Sequence, residues 1–325
     1  MSRVAQIVIL ICVLLGGLVL GRLSMTSGGD TKSGPEDKPF EFLQPYSVRP
    51  EQFAVFPCTR RTGFDDMYAA CVLVIAGGKR LVFGAPLGQD WRGIGRVDGV
   101  FLPNGHSVSI GSLTGLRHRT WWAGRTSGLL VVGGELLIDE IKILEEGQNR
   151  ADALASLEFD DPIDFLDAQL RPKPVPSLAS RFKVFDSGDL QVYASSRTST
   201  AGDQHLSYEI RYGGQALYYE PCGGPPLKAE GGVFMTPTAD KSSLVRYQRL
   251  AAETQQFDLV RDLQRNGEHC LSSAEALTLI RETGIKDAIL LRPGRDVSNP
   301  IGKSAANVRI LDENGLMLSA KSTAE

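Results

Sequence analysis

From Glu51 onward the chain alternates short apolar runs with glycine turns: "QFAVFP", "CVLVIAGGKRLVFGAP", "RVDGVFLP", "GLLVVGG" and "DEIKILEEG". Runs of this length, rich in Val, Ile and Phe and bounded by Gly and Pro, predict strands. "CVLVIAGGKRLVFG" reads as a hairpin that turns at Gly77 and Gly78. A more helical, proline-studded stretch is expected from Ala151 to Ser180. Strands resume in "FKVFDSGDLQVYAS" and "LSYEIRYGGQALYYEP", the latter a second hairpin turning at Gly213 and Gly214. Leu244, Tyr247, Leu250 and Ala251, then Phe257, Leu259, Val260 and Leu263, recur at helical spacing. A further helix is expected over Ser272–Thr283, with Ser272 or Ser273 as N-cap and Gly284 at its end, followed by a buried strand "DAILLR". Two strand-rich halves, each feeding into helices, predict two sheets packed face to face with helices outside: an α/β (α+β) four-layer αββα sandwich forming one domain.

The amino-terminal pattern is different. "VAQIVILICVLLGGLVLG", Val4 to Gly21, is an uncharged apolar run long enough to cross a bilayer, flanked by Arg3 and Arg22. It exceeds a usual signal-peptide core and lacks an A-x-A-like cleavage site, so an uncleaved anchor is the expectation and a cleaved signal the alternative. Residues 1–23 are thus expected to form a membrane anchor. Residues 24–50, which contain "SMTSGGDTKSGPEDKP", are expected to form a flexible linker, and residues 51–325 the globular domain. The short tail before the span favours a cytoplasmic N-terminus with the domain on the exported side, periplasmic or equivalent.

Composition narrows the chemistry. A net charge of −3 leaves no basic footprint for nucleic acid. Only four histidines are present, His106, His118, His205 and His269. Cys12 falls in the apolar span, and Cys58, Cys71, Cys222 and Cys270 remain, an even number that can pair in an oxidising compartment or stay as buried thiols. No zinc-knuckle spacing, nucleophile elbow or phosphate-binding glycine loop occurs. The doublets Asp65–Asp66 and Asp160–Asp161 read as solvated turns rather than an acid–base pair. "GLRHRTWWAGR", Gly115 to Arg125, offers either a stacking surface for an anion or sugar, or, preferred, core packing.

"DGVFLPNGHSVSIGSLTGL", Asp98 to Leu116, has the frame of a metal-binding loop with few ligands. Its strand and spaced Gly and Leu resemble the metallo-β-lactamase superfamily, specifically the ribonuclease Z and arylsulfatase-like branch. "GGKRLVFGAPLG", "WWAGRTSGLLVVGG", "YEIRYGGQALYYEPCGGP" and "SSAEALTLIRETGIKDAILLR" match further segments in order, so the likeness covers most of Val55 to Leu318. It implies the metallo-β-lactamase-like sandwich and, in active relatives, two zinc ions about 3.5–4 Å apart. The ligand positions do not carry over. The HxHxDH loop falls on Asn104, His106, Val108 and Ser109; the later histidine near Ser199; the bridging Asp on Cys222; the last histidine on Arg292; and the Asp of the earlier turn on Gly84. His106 alone is retained, a weak metal candidate, and no cofactor is expected. The resemblance also brings the Cys222 and Cys270 positions to one cavity, implying a Cys222–Cys270 disulfide; a Cys58–Cys71 bridge is the second expectation.

The expected protein is therefore a membrane-anchored, catalytically inactive member of a hydrolase fold. It would serve as a binding or assembly module, such as an accessory subunit with protein partners in a membrane complex. Two alternatives stand beside it: a hydrolase with an altered mononuclear site around His106, Asn104 and Cys222, and a sensor holding a small anion near Arg292.

Overall fold

The computed structural model describes residues 48–58, 71–156, 165–198, 203–222, 231–239, 241–257, 260–261, 264, 270–291, 306–311 and 315–318. All lie within one unit, Phe42–Glu325. The expected span Val4–Gly21, the doublets Asp65–Asp66 and Asp160–Asp161, and Ser199, His269 and Arg292 lie outside the described residues. Among those described, no helix is long and apolar enough to cross a membrane.

Among the described residues, fourteen strands build two seven-stranded sheets. The first contains β1 (Phe53–Pro57), β2 (Val72–Ala76), β3 (Lys79–Phe83), β4 (Gly99–Phe101), β5 (Leu129–Gly134), β6 (Leu170–Val175) and β14 (Leu316–Leu318), in the order β14-β1-β2-β3-β4-β5-β6. The second contains β7 (Phe182–Asp186), β8 (Gln191–Thr198), β9 (Gln204–Tyr212), β10 (Gln215–Tyr219), β11 (Val233–Pro237), β12 (Asp287–Leu291) and β13 (Asn307–Ile310), in the order β13-β12-β11-β10-β9-β8-β7. In each sheet an antiparallel hairpin feeds a parallel run: β3 through β6 in the first, β10 through β13 in the second. The first hairpin turns at Gly77 and Gly78, whose φ values of +57° and +70° suit a two-residue hairpin turn that glycine adopts without strain.

Side chains alternate between faces as a two-residue period requires. Phe53 and Val55 of β1 point into the space between the sheets, where they join Phe83, Phe101, Val192, Tyr208, Ile210, Tyr219 and Met235. Ala54 and Phe56 of the same strand point outward onto a second cluster that includes Leu113, Leu116, Leu137, Ile138 and Ile141. These come from α2 (Leu113–Trp122) and α3 (Glu135–Ser156), which follow the short α1 (Ser107–Ile110). Over the other sheet, Tyr218, Phe234 and Leu290 pack on Ala276, Leu277 and Ile280 of α6 (Ser273–Glu282). Also described are α4 (Phe165–Ala168) and α5 (Lys241–Glu253). Helix, sheet, sheet and helix thus stack as the expected α/β sandwich.

Two local expectations are corrected. "DEIKILEEG" is not a strand but the middle of α3. Ile141 within it joins Leu137 and Ile138, one turn earlier in α3, on one buried face, and that helical stripe outweighs the locally alternating appearance. Conversely, the proline-studded middle includes strand β6, "LRPKPV". Pro172 and Pro174 fit because β6 ends the sheet order, so missing N–H groups break no interior ladder. At α6 the structure selects Ser272 as N-cap: its Oγ accepts from the Glu275 N–H (3.3 Å), and Glu275 Oε2 accepts from the Ser272 N–H (2.7 Å).

The "GLRHRTWWAGR" segment forms α2 and its exit, and two of its arginines are internal. Arg117 is fully buried, donating to Asp152 (2.6 Å), Asn149 (3.1 Å) and His118 Nε2 (2.8 Å), with Glu145 3.7 Å from its Nε. Arg125 donates to Thr120 and to the carbonyls of Ser127 and Asp167. Burial, with Arg117 nearby, pushes its guanidinium down to about 10. These two cations are spent tying α2 to α3 and α4, so the stacking-surface option loses them; Trp122 stays exposed beside His118 and Arg119.

Candidate functional site

The parallel strands of both sheets end on one edge of the sandwich, and the loops there carry the residues singled out from the sequence. After β4 the chain turns through Asn104 into α1. Asn104 Oδ1 accepts from the His106 backbone N–H (3.1 Å), a local bond that shapes the loop and engages the amide oxygen. Val108 lies in α1, and Ser109 is buried, with its N–H on the His106 carbonyl (2.7 Å) and its carbonyl accepting from Ala85 (2.9 Å). Gly84, just before, donates to the Phe101 carbonyl (2.9 Å). The loop is therefore held by backbone bonds together with the Asn104 side-chain amide.

The opposite sheet closes on this loop through the start of β9. The Leu206 N–H donates to the Pro103 carbonyl (2.7 Å) and the Tyr208 hydroxyl to the Leu102 carbonyl (2.7 Å). Burial pushes the Tyr208 hydroxyl well above its ordinary range, which keeps it a neutral donor. Gln204 adds a clamp: its Oε1 accepts from the Glu135 N–H at the start of α3 (3.0 Å), while its Nε2 donates to Val175 (3.0 Å) and Ser196 (2.8 Å). A Cβ on Gly134 would stand 2.4 Å from that Oε1, so glycine is needed there for the clamp to sit.

These contacts bring His106 beside two residues that sequence reasoning did not connect with it. Asp203 Oδ2 lies 3.9 Å from His106 Nε2, longer than a hydrogen bond, and the His205 ring centre is 6.0 Å from that of His106. His205 sits within β9, cross-strand from Arg197. Arg197 in turn reaches the buried Glu220 at the end of β10 (3.5 Å). The one cue in the sequence was the "DQHLSYEI" strand start, legible as a neighbour of the loop only once the two sheets are superposed.

Cys222 follows β10, and its sulfur is joined to Cys270, just before α6, with Cα atoms 4.5 Å apart. The pair lies in an apolar cluster with Ala239, Leu244 and Ala251, against Tyr247 and Val260. Cys58 and Cys71 are joined at the end of β1 and start of β2, Cα atoms 5.4 Å apart. Cys222 is thereby unavailable to the mononuclear alternative, because a disulfide sulfur cannot act as a thiolate ligand. Two disulfides also argue that this domain matures in an oxidising, extracytoplasmic compartment.

Catalytic zinc needs about three His, Cys or carboxylate donors converging at roughly 2.0–2.3 Å. At the positions the resemblance marks, the described residues offer one imidazole, an amide already engaged, a valine, a buried serine and a half-cystine. That set does not fit a dinuclear centre. Among the described residues no group of three or more His, Cys, Asp or Glu is placed to hold a metal ion.

Comparison with known proteins gives no matching family model and no matching curated sequence. Among solved structures, the chain is similar to the metallo-β-lactamase fold protein YhfI from Bacillus subtilis, with a TM-score of 0.51 and 12% identity over 82% of this chain and 99% of that one. It also matches the short form of human tRNase Z (TM-score 0.49, 15% identity, 82% and 99% covered) and a diphosphatase of the PhnP family (0.45, 11%, 78% and 84%). At such identities the likeness to YhfI shows the fold alone.

Proposed function

We propose that this metallo-β-lactamase-fold chain is an exported, membrane-anchored binding or assembly module that does not carry out the metal-dependent hydrolysis associated with its fold. The observation that supports this most is the Cys222–Cys270 disulfide, which occupies the strand end where the resemblance places a bridging carboxylate. Around it, backbone bonds hold the His106 loop, and the Gln204 clamp closes the same edge. The edge is built as a fixed surface, and the apolar run Val4–Gly21 supplies the expected anchor that would keep it at a membrane.

The test has two arms. Purified full-length chain is assayed against a generic phosphodiester and a generic β-lactam with added Zn²⁺ or Mn²⁺, beside His106→Ala. The reading expects turnover indistinguishable between the two proteins; metal-dependent turnover abolished by His106→Ala overturns it. Capture from membranes in mild detergent with the full chain as bait is expected to retain defined membrane proteins. Their loss on changing surface residues near His106 would place the binding edge there.

A further inference from the structure

Helix α3 carries two apolar stripes, and the sandwich accounts for only one. Leu137, Ile138 and Ile141 are buried against the sheet. On the far side Leu136, Ile143 and Leu154 are 76%, 73% and 68% exposed. With Glu140, Gly147 and Arg150 they occupy positions 136, 140, 143, 147, 150 and 154, spacings of four and three in strict alternation. Alternating spacings of four and three are those of the positions that face a partner helix in a coiled coil, and here three of the six are apolar. All six are on the described, exposed face of a 22-residue helix.

We propose that this face is the interface of a symmetric dimer, occupied by α3 of a second copy of this chain running antiparallel. A two-fold axis passing opposite position 145 sets Leu136 against the partner's Leu154, Ile143 against the partner's Gly147, and Glu140 against the partner's Arg150. Each layer is complementary: apolar on apolar, a branched side chain over a gap, and opposite charges. The same surface serves both subunits, as a closed two-fold interface requires. A parallel arrangement would instead set Glu140 against Glu140 and Arg150 against Arg150, so charge fixes the direction.

Gly147 supplies a second, independent observation. Glycine weakens a helix interior, and here an added Cβ would meet nothing within 4 Å, so packing inside the chain does not call for it. A hole opposite Ile143 of the partner subunit does. Within one chain Arg150 pairs with the exposed Glu146 one turn away, a surface pair that can exchange for Glu140 of the partner subunit. The pairing is independent of whether the domain retains any reaction.

Density-matched sedimentation of the full chain in mild detergent tests it. The wild type should sediment as two chains. Glu140→Arg and Arg150→Glu, each placing like charges face to face, should weaken association by at least about tenfold. The combined variant E140R/R150E should restore it, because the pair is re-formed with its signs exchanged. Both positions are exposed, so folding is checked by circular dichroism and is expected to be unchanged. A wild-type mass of one chain, a dimer indifferent to the single reversals, or a double variant that stays dissociated would each overturn the proposal.

Discussion

Removing the Cys222–Cys270 disulfide should cost the domain about 4 kcal/mol. The magnitude follows from the loop it closes. The two cysteines are 48 residues apart, and the entropy denied to the unfolded chain grows with the logarithm of loop length. Cys58 and Cys71 close a loop of separation 13, for which the same relation gives about 3 kcal/mol. The ratio of loop lengths is large, but the expected difference is only about 1 kcal/mol because the dependence is logarithmic. The assay is urea unfolding of the full chain in mild detergent, followed by tryptophan fluorescence, since Trp91 is buried under the loop that precedes α2. The variants are the paired substitutions C222A/C270A and C58A/C71A, so that no lone thiol is left to exchange. A loss below about 1 kcal/mol for C222A/C270A, or one smaller than that of C58A/C71A, would refute the claim that the long staple restrains the former site edge.

Three further outcomes are expected. Gly134→Ala should cost roughly 1–2 kcal/mol by displacing the Gln204 amide, and should cost little more once Gln204→Ala is already present; a double-mutant cycle in urea measures that coupling. Arg117→Met should destabilise by roughly 3–5 kcal/mol, because Asp152 and Glu145 lose their cation while still packed between α2 and α3; the shift in the urea midpoint reports it. Glu275 is held down to about 2, chiefly by Lys241 and then by the Ser272 N–H, from an ordinary value of 4.5. Its contribution is therefore fully present above pH 4.5 and is lost as the pH falls toward 2. Half-exposed, it is worth under about 1 kcal/mol. Glu275→Gln should lower stability at neutral pH, with the difference shrinking as the pH falls through about 2, as thermal unfolding across that range will show.

The sandwich was legible where sequence and local geometry agree. The Gly77–Gly78 and Gly213–Gly214 turns announce hairpins because their backbone angles suit glycine and flank strongly apolar runs. Ser272 and Glu275 announce α6 through a local capping pattern. Reading failed where a long-range partner decides the outcome. "DEIKILEEG" alternates like a strand, yet Ile138 and Ile141 bury only as one face of a helix laid on β5 and β6. β6 tolerates its prolines because it is the edge strand among the described residues. That Asn104, Val108 and Ser109 stand where the resemblance expects metal ligands rests on the resemblance alone. The approach of Asp203 and His205 to His106 depends on the second sheet docking through Leu206 and Tyr208, a contact between residues about a hundred positions apart in the chain that no local pattern encodes.

The central claim is that this fold has kept its frame and given up the donors of a metal centre. Metal content per chain, measured by mass spectrometry after the full-length protein is equilibrated with Zn²⁺, Mn²⁺ or Fe²⁺ and freed of loose metal by gel filtration, tests it most directly. The account predicts far less than one ion per chain for every metal, with His106→Ala no different from wild type. One or two ions per chain that survive filtration and are lost in His106→Ala would contradict it.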